Sequence, residues 1–480
     1  MKFLLNNKRL YSFLKIQIEF NISYFYQIRR PVYYKQVKKV RRCYNMQSYV
    51  FPLHQHIGQP SEPIVHNGDT VLRGQCIATA PKKGLGSNIF SSITGKVTLV
   101  TSSEIQIYPD TTQSKTYQKL TAQNPLDLIR QAGIVGLGGA GFPTYAKLST
   151  SFQHDGMVII NGAECEPILH HNVVRMEKNP KEIIRGLEIA MNITHAAQGV
   201  IAIKACHTKA IAALNYVLKD KMKIHMLPDM YPMGEERALV REVMGRLLPI
   251  TALPIEAGAI VINAESAYRI AQAVDLKKPY IDKDITIGGK IAGNHQEKLI
   301  QVYLDEPLGN RVEHLLKKAG GLADTYGEII MGGPFTGHRV SLQDPIVKTT
   351  GGLIATECFP KGPSTIGLLV CACGAHTERM KELAQSMGSH VVDIEYCKQA
   401  HEIHGNLKCD NPGKCPGQVQ RVMAIKKSGA QGVLISNCTD CSNTVMACAP
   451  ALGLSVYHCT DGALRAVNHP LIRKIHSIAI

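Results

Sequence analysis

The stretch Gly136-Leu137-Gly138-Gly139-Ala140-Gly141-Phe142-Pro143-Thr144 constrains this chain more than any other. Its four glycines between 136 and 141 remove the Cβ atoms that would hold a ligand's phosphate away from backbone N–H groups. Pro143 suits the first turn of a following helix, whose N-terminus favours an anion. A phosphate cradle is the expectation. The spacing satisfies Gly-x-Gly-x-x-Gly, yet a dinucleotide fingerprint of that form follows a strand. Here Asn124 to Gly133 comes first and reads as a short helix with an asparagine cap and a glycine stop, so the loop is expected to bind phosphate outside a Rossmann framework.

Composition bounds the partners. The 480 residues allow several domains, and a formal charge of +16 first suggests nucleic acid. Residues 1 to 45, however, hold eleven Lys/Arg and one acid, Glu19, which leaves 43 − 37 = +6 for the rest. A nucleic-acid function is therefore not expected. The basic segment lacks the features of a transit peptide, a signal peptide or a membrane span. It is expected to lie outside the fold, with Met46 as the true start; the alternative is a basic amphipathic anchor on a membrane surface.

Ten of the fourteen cysteines fall between Cys358 and Cys459. Without a secretory signal, that density argues for metal or redox chemistry in a reducing compartment. Cys438-x-x-Cys441 follows the apolar run Gly432 to Ser436 at a strand-to-helix turn, where a helix N-terminus lowers a thiol pKa; the two are the candidate catalytic thiols. Cys371, Cys373, Cys397, Cys409, Cys415, Cys438, Cys441 and Cys448 are the candidate metal ligands, for an iron–sulfur cluster or, alternatively, structural zinc. His401-Glu402-Ile403-His404 is one residue short of the zinc-protease helix motif. His170 and His171 read as surface residues.

The expected fold is a multidomain α/β chain. Residues 46–120, with turns at Asn67-Gly68 and Gly74, suggest a small β barrel-sandwich; Lys96 lacks the neighbours of a lipoyl or biotinyl carrier lysine. Residues 121–279 alternate buried strands such as Met157 to Ile160 and Gly199 to Ile203 with helices, as an α/β domain does. Residues 280–345 suggest a small mixed sheet on one helix, resembling a soluble-ligand-binding β-grasp. Residues 350–480 suggest a cysteine-rich α/β domain with its thiols at strand ends.

Four ordered motifs carry a family resemblance: the glycine loop, Asn161-Gly162-Ala163-Glu164-Cys165-Glu166-Pro167, Tyr231-Pro232-Met233-Gly234-Glu235-Glu236, and Asn263 to Tyr268. Together they resemble RnfC, a component of the Rnf electron-transport complex, and, more distantly, the NADH- and FMN-binding subunit of respiratory complex I. The resemblance implies an FMN- or NADH-type cleft. Gly136, Gly138, Gly139, Gly141 and Phe142 would meet the flavin or the nucleotide phosphate, Asn161 and Asn263 would flank the flavin, and Glu164 and Glu235 would face the nucleotide; Glu166, Gly234 and Glu236 are further candidate cofactor-binding residues.

The tail lacks the two ferredoxin-type cysteine runs of that family. In this it resembles the proline reductase-associated electron transfer proteins, and Ala424 to Cys441 is faintly similar to the delta subunit of methyl-viologen-reducing hydrogenase. The implied activity is NADH-dependent electron transfer to a partner reductase, D-proline reductase on the first reading. A peripheral Rnf-type subunit, or a cofactor-free docking subunit with zinc, is the alternative. The expected location is cytoplasmic, free or attached to a membrane surface, with no transmembrane segment. N-terminal sequencing of native protein should begin at Met46; a sequence beginning at Met1 would refute that start.

Overall fold

A computed structural model of the chain describes residues 48–153, 155–292, 299–436 and 439–473, the side chains of 439–443 excepted. The proposed start at Met46 and the extension before it lie outside these residues, as does Cys438. Two small sheets open the fold. Tyr49–Pro52, Glu104–Pro109, Gly95–Val100 and Thr70–Val71 form one, in that spatial order, and Glu62–Pro63, Cys76–Thr79 and Ile89–Phe90 form the other. Alternate residues such as Val97, Ile105 and Ile107 turn inward and are fully buried, the period-two pattern of half-buried strands. The sheets do not close into a barrel. Lys96 sits within a strand, opposite Thr70 and Tyr108, and not at a hairpin tip.

The next unit is a four-stranded parallel sheet in the spatial order Met222–Leu227, Gln198–Lys204, Met157–Gly162, Ala259–Asn263. Apart from the edge strand Met222–Leu227, its strands are largely apolar because both faces are covered. Val158, Ile160, Ile201, Ile203, Ile260 and Ile262 face the core shared with helices Pro180–Thr194 and Ala264–Asp275. Ile159, Val200, Ala202 and Val261 face the core shared with helix Glu236–Met244. The chain runs outward from the Met157 strand through two neighbours, then returns to its other side. The switch point of the sheet thus lies between the Met157 and Ala259 strands, the usual place for a ligand crevice.

A mixed five-stranded sheet follows, in the order Ile300–Pro307, Asp282–Gly289, Gly352–Ala355, Ile329–Met331, His338–Arg339, packed on helix Val312–Lys318. Its middle strand, Gly352–Ala355, comes after the sequence-based boundary at 345. Buried charges lock this sheet to the parallel one. Asp284 accepts from Arg175 at 2.6 Å and from Arg269 at 3.0 Å, while Lys283 pairs with Glu265. Burial pushes the Asp284 carboxyl up, but Arg269 and Arg175 outweigh it and hold the group well below the usual carboxylate range.

The last sheet is again parallel, ordered His390–Tyr396, Thr365–Val370, Gly432–Ile435, Ser455–His458. Its first strand is second in space, so a second switch point falls between the Thr365 and Gly432 strands. An antiparallel hairpin, Ala400–Ile403 with Asn406–Cys409, extends from it. His401, Glu402 and Ile403 therefore lie on a strand, which rules out the helical near-motif read from the sequence, and His401 pairs with Asp410 at 2.7 Å. Among the described residues no helix is long and apolar enough to cross a membrane.

Helices Pro180–Thr194 and Ala264–Asp275 meet at Gly186, where a Cβ would lie 1.9 Å from the Ala267 carbonyl oxygen. Gly186→Ala should lower the unfolding free energy by about 1–3 kcal/mol, seen as a lower urea midpoint at unchanged slope.

Candidate cofactor cleft and cysteine pocket

The sequence-predicted helix before the glycine loop is Pro125–Ala132, capped by Asn124, which accepts from Asp127 N at 2.8 Å, and stopped by left-handed Gly133. The loop then folds back on itself: Val135 and Pro143 form an antiparallel bridge, and Gly136 N donates to Phe142 O at 2.8 Å. Ser266 fixes the near side, accepting from Leu137 N at 3.2 Å and donating to Val135 O at 3.1 Å. Gly141 has φ +76° and its Cβ position is 3.0 Å from His56, so glycine is required there. Gly138, Gly139 and Ala140 form an exposed tip, and no atom lies within 4 Å of a Cβ built on Gly139.

This tip stands over the switch point. Asn161 and Asn263 are register partners at the C-terminal ends of adjacent strands. Asn263 caps the Ala264 helix, accepting from Glu265 N at 2.8 Å, and its Nδ2 is 2.6 Å from where a Gly138 Cβ would be. Asn161 Nδ2 donates to Gly234 O at 2.8 Å. The glycine loop, both asparagines and Gly234 thus come together, as the motifs imply.

The acidic residues divide. Glu164 is buried and turned into the protein, accepting from Asn172 Nδ2 and Val173 N at 3.0 Å each. Glu166 is likewise spent on the protein, accepting from Phe335 N at 2.9 Å and Thr336 N at 3.0 Å. Burial raises its carboxyl above the usual range. Glu235 caps helix Glu236–Met244 through Ala238 N at 2.8 Å, and burial raises it too. Only Glu236 keeps a charged partner at the crevice, Lys147, which also donates to Val261 O at 3.2 Å. A nucleotide-facing role for Glu164 and Glu235, and cofactor contact by Glu166, are at odds with these contacts, since each carboxylate already satisfies a turn or helix N-terminus. Lys147, and His207 with its buried, unpartnered Nε2, were not singled out from the sequence. The Pro143-to-Lys147 spacing after the glycine loop was the available signal for Lys147.

The candidate metal thiols also divide. Cys371, Cys373, Cys397, Cys409 and Cys415 line one pocket. The Cys373 thiol is in hydrogen-bond contact with those of Cys371 and Cys409, and Cys397 with Cys371. These contacts push Cys373 and Cys397 far up, while the contact with Cys373 draws Cys409 down. Cys448 is not in this lining; it ends helix Thr439–Cys448 and contacts Val445 O at 3.7 Å. Cys441 lies on the same helix.

Residues 129–272, which contain the whole crevice, match the Nuo51 FMN-binding domain, and residues 30–114 match the RnfC barrel sandwich hybrid domain. The C component of the proton-translocating ferredoxin:NAD(+) oxidoreductase complex of Clostridium ljungdahlii is 31% identical over 63% of this chain and 69% of its own length. The corresponding component of the Na(+)-translocating complex of Acetobacterium woodii is 30% identical over 66% of this chain and 74% of its own. This chain belongs to the RnfC family. Cobalamin reductase PduS of Salmonella typhimurium is 36% identical over 49% of this chain, and the chain spans 50% of it. Against several such relatives the chain thus spans about half their length. These proteins favour the Rnf-type reading over the proline reductase one, which none of them supports.

FMN is the cofactor to which the family and the matched domain point, and the crevice suits it. The exposed glycine tip leaves backbone open to a phosphate, and with Glu164 and Glu166 turned inward the nearby side chains are amides and the Lys147–Glu236 ion pair. Asn263→Ala should cost about 1 kcal/mol through the lost helix cap. Asn263→Asp, which keeps the accepting oxygen, should retain most of that in urea unfolding.

Proposed function

We propose that this chain is an electron-transfer protein that holds FMN at the switch-point crevice, takes reducing equivalents from NADH, and passes electrons through its cysteine-rich part to an Rnf-type membrane complex. The observation that carries this reading is the register pair Asn161 and Asn263 beneath the open glycine tip, inside the FMN-binding match. FMN, when bound, supplies the exchange between hydride and single electrons. The chain's own part is to bind and orient. Backbone N–H groups of Gly138 to Ala140 would take the phosphate, the two carboxamides would flank the ring, and Lys147 would offset anionic charge.

Cys438 and Cys441 are the proposed exit thiols. A cobalamin acceptor, as the name of PduS suggests, would use the same crevice and differ only in the last partner. A cofactor-free docking role would leave the open tip without a use.

The test is anaerobic purification, FMN reconstitution and NADH-dependent reduction of a viologen dye. Stoichiometric FMN is expected, with affinity falling about tenfold, or ~1.4 kcal/mol, in Lys147→Ala. Cys438→Ser with Cys441→Ser should leave FMN binding intact and slow dye reduction. No flavin uptake, or uptake indifferent to both Lys147→Ala and Asn161→Ala, would count against the reading.

A further inference from the structure

The five-thiol pocket is drawn from four separate stretches of chain. Cys371 and Cys373 follow the Thr365–Val370 strand at the second switch point, Cys397 follows the His390–Tyr396 strand, Cys409 ends the hairpin, and Cys415 precedes Pro416. Cys371, Cys397 and Cys409 are buried, and Cys373 and Cys415 partly so. Apolar packing alone does not call for five thiols around one small space, because a buried S–H is only a weak donor, and Cys409 Sγ reaches Gln399 Oε1 only at 3.8 Å. Two nitrogen donors already point at sulfur: Gln418 Nε2 lies 3.1 Å from Cys397 Sγ and 3.7 Å from Cys415 Sγ, and Gly417 N lies 3.4 Å from Cys415 Sγ. Such donors stabilise thiolates and set the potential of a metal centre that the thiolates hold.

The pocket is also fixed to the flavin crevice. Arg237 donates to Cys409 O at 2.5 Å and Asp410 O at 2.6 Å, and Arg241 donates to Asn411 Oδ1 at 2.5 Å and Pro412 O at 2.7 Å. Both arginines stand on helix Glu236–Met244, which starts beside Gly234, the residue that Asn161 holds. Tyr231 Oη donates to Cys373 O at 2.5 Å, and Gly413, at φ +81°, comes so near Met233 that a Cβ would be 2.6 Å from its methyl carbon. The 231–237 segment therefore touches the crevice on one side and the backbone of the cysteine pocket on the other.

Among the described residues no three metal-binding side chains are grouped as a single-ion site. Five thiols around one space are more than a four-coordinate ion takes, which suits an inorganic core larger than one ion.

We propose that this pocket binds one iron–sulfur cluster through four of its five thiolates, without Cys448, and that it is the first electron acceptor beyond the flavin crevice. Assembly takes up iron and sulfide and releases the protons of the ligating thiols. Arg237 and Arg241 are positioning residues, holding the Cys409 loop at a fixed separation from the crevice. The acceptor role rests on the electron-transfer reading above; the cluster site does not.

The test uses the full chain, purified anaerobically and reconstituted with iron and sulfide, with iron, acid-labile sulfide, zinc and FMN quantified. Since a fifth thiol can replace one lost ligand, variants are made in pairs. Cys371→Ser with Cys397→Ser leaves three pocket thiols and should abolish bound iron and sulfide, while Cys358→Ser with Cys448→Ser should keep both. Retained FMN in the first pair shows that the fold survives. Should that pair misfold, Cys409→Ala with Cys415→Ala makes the same test from the other end of the pocket. Iron retained in a folded pocket pair, iron lost in Cys358→Ser with Cys448→Ser, or zinc without sulfide in the unmodified chain would overturn the site. Iron and sulfide without FMN would refute the flavin reading and leave the cluster site standing.

Discussion

The grip of one short helix on a distant loop is the interaction on which the arrangement of this protein depends. Helix Glu236–Met244 packs Leu239 and Val240 into one face of the flavin-type sheet, and from its other side Arg237 and Arg241 take carbonyl oxygens of the Cys409 to Pro412 loop. Guanidinium groups suit this task, because several fixed donors on one planar head order several acceptors at once. Arg237 is itself buried, and its other contact is Leu248 O at 2.8 Å, so its partners are all neutral carbonyls. Hydrogen bonds from a charged donor in such a site are among the stronger ones, each worth about 1.5–3 kcal/mol. The glycine-loop crevice and the cysteine pocket are thereby tied to one helix.

The same logic recurs at the other junction. Arg175 and Arg269 meet Asp284, Asp305 and Glu265 between the parallel sheet and the mixed sheet, with Lys283 completing the set. A buried network of this kind is weak evidence for extra stability, since desolvation offsets much of the attraction. Its consequence here is geometric. The strand Asp282–Gly289 is held against the helix Ala264–Asp275, and that helix carries Ser266 and the cap Asn263 on which the glycine loop rests.

Much of the crevice was legible in the sequence because glycine and asparagine act through the backbone. A loop with glycines at 136, 138, 139 and 141, and asparagines closing two apolar strands, leave few conformations to choose from. The short helix from Pro125 was legible for the same reason, with both its caps written locally. The acids were not. A glutamate beside a glycine turn looks alike whether it meets a ligand or satisfies the N–H groups of another segment, and the partners of Glu166, Phe335 and Thr336, lie far along the chain. The register of His401 to His404 was also hidden, since the strand exists only through its pairing with Asn406 to Cys409. The gathering of five thiols, and the exclusion of Cys448 from them, depends on a strand order that spacing does not reveal.

The central claim is that one frame carries an FMN site and a metal site on either side of the 231–237 segment. The most direct measurement is a crystal structure of the anaerobically prepared chain soaked with FMN, with anomalous scattering recorded across the iron edge. The account predicts flavin density with its phosphate at Gly138 to Ala140 and iron density among Cys371, Cys373, Cys397, Cys409 and Cys415. Flavin bound away from the Asn161 and Asn263 pair, or iron elsewhere in the chain, would contradict it.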